Sequence, residues 1–223
     1  PEYGDSFRSF VSGGNFAGSA SLKLGALTVV VDEAAKSGWF HAPATMKFKE
    51  YVGEGITGWA APRPLRISGI VVNDGGWKIV RAVYTSTITD KNLVESAAYE
   101  DPPLSPVAGA PKHVAEHALA KAADAWFANG GGGGFVKAAS PNPKIVANGT
   151  SSTEFATGGA AALKVAKGWD KLALGAESIE AVTFGSGKIG LVIAKVRMPT
   201  KTGKKTLAVS MTLYAIAVDE GEA

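Results

Sequence analysis

No cysteine occurs among the 223 residues, so disulfides, thiol nucleophiles and thiolate-bound metals are excluded as sources of stability or chemistry. That composition fits a reducing, cytoplasmic setting. Long apolar runs are missing as well. None approaches the roughly 20 residues that span a bilayer, and no N-terminal stretch has the pattern of a signal peptide. The chain begins at Pro1 and not at methionine, as it would if a leader had been removed. Charge of one sign is in only small excess, with a formal net charge of +3. The one dense basic cluster, Lys195, Arg197, Lys201, Lys204 and Lys205, has no aromatic residue interleaved for base stacking. It reads as a solvated turn and not as a nucleic-acid surface. Hydrophobic residues, at 46%, are plentiful enough to build a core. Glycine and alanine are abundant but not periodic, which excludes a collagen-like chain.

A proline-rich stretch, Asp101 to Pro111, divides the chain. Proline removes a backbone donor and holds the preceding residue extended, so 101–111 reads as a linker between domains at 1–100 and 112–223. After it, Ala115, Ala118, Leu119, Ala122 and Trp126 fall at helical spacing, giving a helix over 112–129 that stops at Asn129-Gly130. The glycine run to Gly134 follows a helix and is not succeeded by Gly-Lys-Ser/Thr, so it is a flexible loop and not a phosphate loop. A second helix is expected over 160–172. Strands follow at 177–184, 188–198 and 206–218, turning at Gly185-Ser186-Gly187 and Thr202-Gly203-Lys204.

The first half repeats this order. Leu24-Gly25-Ala26 answers Leu174-Gly175-Ala176, and Val29 to Asp32 forms the first strand. Lys36-Ser37-Gly38 opens the second strand as Lys188-Ile189-Gly190 does, and Met46 closes it as Met198 closes the other. Asn73-Asp74-Gly75 answers Val218-Asp219-Glu220, and Phe10 to Gly14 answers Phe155 to Gly159. Five matches in one order argue for duplication. The first copy runs on into a fourth strand, Gly76 to Tyr84, with no counterpart after Val218, and the second has a leading helix with no counterpart in the first. The expectation is a fragment of a longer parent, or a partner that completes each domain.

Helices followed by an antiparallel sheet, with Asn73-Asp74-Gly75-Gly76-Trp77-Lys78-Ile79-Val80 closing one repeat, resemble the nuclear transport factor 2-like superfamily, in its SnoaL-like branch. The resemblance implies an α+β fold of two cone-like domains. Each would be a curved antiparallel sheet packed on helices, with a pocket at its mouth, and the two would be arranged as an intrachain pseudo-dimer. The superfamily holds isomerases, cyclases and dehydratases beside non-catalytic binding modules, so the fold does not give the function.

The chemistry-bearing motifs are few. His113-Val114-Ala115-Glu116-His117 has the spacing of two metal-binding histidines flanking a glutamate on a helix, but a third ligand would have to be Glu177 or Glu180, with no pattern to support either, and the expectation is no metal and no cofactor. Asn148-Gly149-Thr150 is a formal glycosylation sequon and also a common turn, and the turn is the simpler reading. Isomerase chemistry needs a carboxylate base and a tyrosine donor; Asp32 with Tyr84 and Asp170 with Tyr214 supply the residue types. The repeat aligns Tyr214 with Gly69 and leaves Tyr84 without a counterpart. Trp39 and His41 share one face of a strand where the second copy has Leu191 and Ile193. Trp39, His41, Tyr84 and Tyr214 are therefore the candidate ligand-binding residues.

Strand patterning argues for association. Along 188–198, Ile189, Leu191 and Ile193 point one way and Val192, Ala194 and Val196 the other, so both faces of the sheet must be covered. Its own helices can cover only one. The Ile189, Leu191 and Ile193 face is expected to meet the sister copy, another chain or a small apolar ligand. The residues favour a non-catalytic binding or assembly module, with a pocket enzyme of the isomerase or cyclase kind as the alternative.

Overall fold

The computed structural model describes residues 20–51, 57–59, 62–87, 104–107, 110–113, 118–127, 134–151, 154–172, 174–202 and 204–220. The fold is α+β, with mostly antiparallel sheets and few helices.

The first sheet is built on one long strand, β3 (Ser37–Tyr51). On one side β3 pairs with β1 (Ala20–Leu24) and β2 (Thr28–Asp32). On the other it pairs with β4 (Thr57–Trp59) and β5 (Arg63–Asn73), and β5 pairs in turn with β6 (Trp77–Ser86). The second sheet is the antiparallel meander β10 (Gly175–Phe184), β11 (Ile189–Thr202) and β12 (Lys205–Val218). The short strand β7 (Lys112–His113) joins β10 in parallel. β8 (Val146–Asn148) and β9 (Phe155–Thr157) form a separate hairpin.

The two meanders share their registers. Ser37 pairs with Val72 and Met46 with Arg63, while Ile189 pairs with Val218 and Met198 with Val209. Both hairpins β2–β3 and β10–β11 turn through four residues, Glu33 to Lys36 and Gly185 to Lys188. Each meander is closed by the same bond: the Asn73 amide donates to the Lys36 carbonyl and the Asp219 amide to the Lys188 carbonyl, both at 2.8 Å. Register aligns Tyr214 with Ser68, one residue from the Gly69 expected from sequence.

In the second half the helical segment after the linker is shorter than its periodicity suggests. It comprises α1 (Ala118–Ala123) and a 3-10 turn, Asp124–Phe127. Ala120, Ala123 and Phe127 are its buried residues and pack on Ala176, Ile179, Val192, Ala194 and Val196 of the sheet. Ala118 and Ala122, expected on that face, are exposed. Gly190 permits the approach, because a Cβ there would sit 2.5 Å from Leu119 Cδ2. The short helix α2 (Phe135–Ala138) and the longer α3 (Gly159–Trp169) follow. Phe135 meets Phe127 and Trp169 edge to face. Among the described residues α1 packs on the second sheet and α3 on the β8–β9 hairpin, and no helix is long and apolar enough to cross a membrane.

The expected linker does not hang free. Leu104 accepts the Ala208 amide through its carbonyl at 3.0 Å, Ser105 accepts Arg197 at 2.7 Å, and Val107 lies against Gly175.

The two sheets meet face to face. Ile70, Ile189 and Leu191 are buried together, with Trp39, Val80, Val182, Phe184, Ile193 and Ile216 around them. A bulge in β6 opposite Ile70 and Val71 places both Val80 and Arg81 towards the second sheet, where the Arg81 guanidinium lies 5.8 Å from the Phe184 ring centroid.

Candidate functional site

On a strand of period two, Trp39, His41 and Pro43 of β3 share a face with Ile70, Ser68 and Arg66 of β5, directly opposite them. Moving along this face, the Trp39–Ile70 end is filled by the second sheet and the Pro43–Arg66 end by the β8–β9 hairpin. His41 is 2% exposed. Its Nδ1 lies 2.9 Å from Ser68 Oγ, and its ring stacks on Phe155 at 5.1 Å between centroids. Nε2 has no hydrogen-bonding partner. Burial, with Arg66 beside it, holds the imidazole below its ordinary pKa.

Arg66 is also buried, and its guanidinium lies 5.0 Å from the same phenyl ring. It donates to Asn148 Oδ1, to the Gly149 carbonyl at 2.9 Å and to the Ser151 carbonyl at 2.9 Å. Asn148 Nδ2 in turn donates to Thr85 Oγ1 at 3.0 Å. Glu154 sits behind this turn, accepting from the Thr150 amide at 3.0 Å and the Ser151 amide at 3.2 Å, and its charge opposes the lowering that burial imposes on Arg66. The Asn148-Gly149-Thr150 segment is thus a turn stapled to the first sheet, as its composition suggested.

Beyond Arg66 the same face opens into a cleft of about 430 Å³, lined by Lys23, Pro43, Thr45, Pro64, Thr87 and Phe155 among others. Among the described residues no carboxylate lines it, and neither His41 nor Ser68 does. Among the described residues no carboxylate hydrogen-bonds His41 Nε2, and Ser68 does not line the cleft.

The four candidate ligand-binding residues do not converge. Trp39 and His41 lie on the face just described, Trp39 in the contact between the sheets. Tyr84 projects from the opposite face, with Phe40, Ala44, Leu65 and Ile67, where burial raises its pKa. Tyr214 is 47% exposed on β12. The candidate carboxylates are turn and cap residues: Asp32 accepts the Ala35 amide at 2.9 Å, and Asp170 the amides of Phe135 at 2.9 Å and Val136 at 3.3 Å. Ile189, Leu191 and Ile193 all pack on the first sheet, against Trp39, Ile70 and Val80. His113 lies in a strand and not in a helix, with Nε2 2.8 Å from Asp124 Oδ1. Glu116 and His117 fall outside the described residues. No cluster of three or more potential metal ligands occurs among those that are described.

The far face of the first sheet is the feature sequence reasoning missed. Val31, Gly38, Val71 and Ile79 form one row straight across four strands, with Val29 and Phe40 in the next row and Trp77 beyond. Val31 is 43% exposed, Trp77 43% and Ile79 64%. The Phe40 ring lies over Gly69, where a Cβ would come within 2.5 Å of it. The unbroken run Val29-Val30-Val31 in β2, and Trp77 with Ile79 at period two in β6, carried the signal.

Comparison with protein-family models, with curated proteins and with solved structures gives no match.

Proposed function

We propose that this chain is a non-catalytic binding or assembly module built from a tandem repeat, its two halves packed as an intrachain pseudo-dimer. The observation that carries the reading is the apolar row Val31–Val71–Ile79 with Trp77, exposed at Val31, Ile79 and Trp77. Apolar side chains gathered on one exposed face mark a surface that another molecule covers. A pocket enzyme would instead want an enclosed cavity with a carboxylate in its wall, and the described residues of the open cleft beside Arg66 are apolar side chains, threonines and the cations Lys23 and Arg66. The matched registers of β2–β3–β5 and β10–β11–β12 support the tandem. Register-equivalent residues gathered in one cluster at the contact, Trp39 and Leu191, and Ile70 and Ile216, support the pseudo-dimer. Nuclear transport factor 2-like ancestry of each half belongs to the same proposal, resting on the Trp77 segment. So does a cytoplasmic setting, which the lack of cysteine supports.

The test is to replace Ile79 and Val31 singly with lysine and to follow mass by size-exclusion chromatography with light scattering over a range of concentrations. Both side chains face solvent, so the melting temperature should hold within a few degrees while the associated mass falls. Unchanged mass in both variants would defeat the reading of this face.

A further inference from the structure

β12 is a 14-residue strand whose ladder with β11 runs unbroken from Lys205 to Val218. The Ala208 amide bonds Leu104 and not β11, and its partner in the ladder is Pro199, which has no amide to offer. With no bulge in the register, the backbone groups of the even-numbered residues of β12 point away from β11. Leu104 takes the outward amide of Ala208. Among the described residues no strand pairs with the outward groups of Ser210, Thr212, Tyr214, Ile216 and Val218.

The first half shows what such an edge accommodates. There β6 pairs along β5, and Leu65, Ile67 and Ile70 are buried. Their register equivalents on β12, Met211, Leu213 and Ile216, are only half-buried. The two outer strands also differ in how they resist pairing. β6 carries Lys78, Arg81 and a bulge, devices that keep an edge from joining another sheet. From Thr206 to Val218, β12 has no charge, no proline, no glycine and no bulge.

We infer that the outer edge of β12 pairs antiparallel with β12 of a second copy of this chain, about a two-fold axis near Tyr214. A second copy is the partner that this edge selects. Its own β12 is equally uncharged and flat, whereas the cationic, bulged β6, paired as it is with β5, would place Arg81 beside Ile216 and Lys78 beside Val218. Centring on Tyr214 uses the whole stretch left clear by Leu104, setting Thr212 opposite Ile216 and Ser210 opposite Val218. A two-fold pairing closes on itself and leaves no further β12 edge to extend a filament. The result is one continuous sheet in which the two β10–β11–β12 meanders form six antiparallel strands, with β7 at either end. The inference rests on the assembly reading but not on the Val31–Ile79 face.

The chain has no cysteine, so a single introduced thiol reports on one contact. Tyr214→Cys is expected to be joined into a dimer by a short bismaleimide, because Cβ atoms of directly opposed residues in a hydrogen-bonded pair lie about 5.5 Å apart. Adding Thr212→Pro deletes one outward donor without touching the β11 ladder and should reduce the cross-linked fraction at least tenfold. Adding Ile79→Lys to Tyr214→Cys should leave cross-linking intact. No cross-link in Tyr214→Cys, as when a segment of the chain itself or another protein occupies the edge, overturns the inference, and so does a cross-link that Thr212→Pro fails to reduce. Amide exchange of Ser210 to Ile216 in the unmodified protein provides a check that needs no variant to fold. Protection that rises with protein concentration is expected, and protection independent of concentration counts against the pairing. Loss of the Tyr214 cross-link with a mass still sensitive to Ile79→Lys removes this inference and leaves the assembly reading standing.

Discussion

His41 lies flat against Phe155, with 5.1 Å between ring centroids, and so joins a strand of the first sheet to the hairpin that covers it. The same phenyl ring carries the Arg66 guanidinium, which makes a second positive charge at His41 unwelcome. Burial and Arg66 lower the folded-state pKa of His41. The unfolded chain, with an ordinary value of about 6.5, therefore binds the proton first as the pH falls. This contribution to stability is fully present above the unfolded value, is lost as the pH drops below it, and levels off once the folded value is passed. Thermal melts at pH 7.5 and 5.5 should show a larger drop for the wild type than for His41→Leu. Equal drops would mean that His41 is not held neutral.

Arg66→Met should loosen the turn at 148–151 by removing donors to Asn148, Gly149 and Ser151 at once. Charge-assisted bonds of this kind are worth more than neutral ones, and a loss of about 3 kcal/mol is expected in denaturant unfolding. Arg66→Lys should rescue little of it, since an ammonium cannot span the three acceptors as a planar fork does. Full stability in Arg66→Lys would argue that charge alone matters there.

The contact between the sheets can be weakened from either side. Leu191 is 2% exposed in it, and Leu191→Ala should cost about 2–5 kcal/mol. Ile193→Lys forces an ammonium towards the same cluster and should lower the melting temperature by several degrees. A wild-type melt for both variants would show that the sheets part without loss.

Gly190→Val places branched carbon where Leu119 of α1 now lies. Displacement of the helix should destabilise the second half by about 1–3 kcal/mol, seen as faster amide exchange at Ala120 and Ala123. His113→Ala, by contrast, removes a partly exposed pair with Asp124 worth about 0–1 kcal/mol, and a chelator should not shift the melt of either protein.

The strands were legible because their signals are local. Val29 to Asp32 and 206–218 are apolar and rich in β-branched residues, and Gly185 and Gly187 both adopt positive φ in the turn that their sequence announced. The helix face was misread because alanine fits either side: Ala118 and Ala122 match the spacing as well as Ala120 and Ala123 do, and only the sheet beneath decides between them. The Arg66 staple could not be read at all. Its acceptors are two backbone carbonyls and one asparagine far along the chain, and nothing beside Arg66 encodes them. The exposed row was hidden because an apolar strand residue looks the same whether the face it points to is covered or bare.

Trp39 and Leu191 hold the same place in their respective meanders, yet one is an indole and the other an isobutyl group. The fit between the sheets is therefore complementary in size and not merely in polarity. Two first halves brought together would crowd two indoles into the space meant for one, and two second halves would leave that space partly empty. An exchange of halves between two molecules that kept this packing would therefore match a first half to a second.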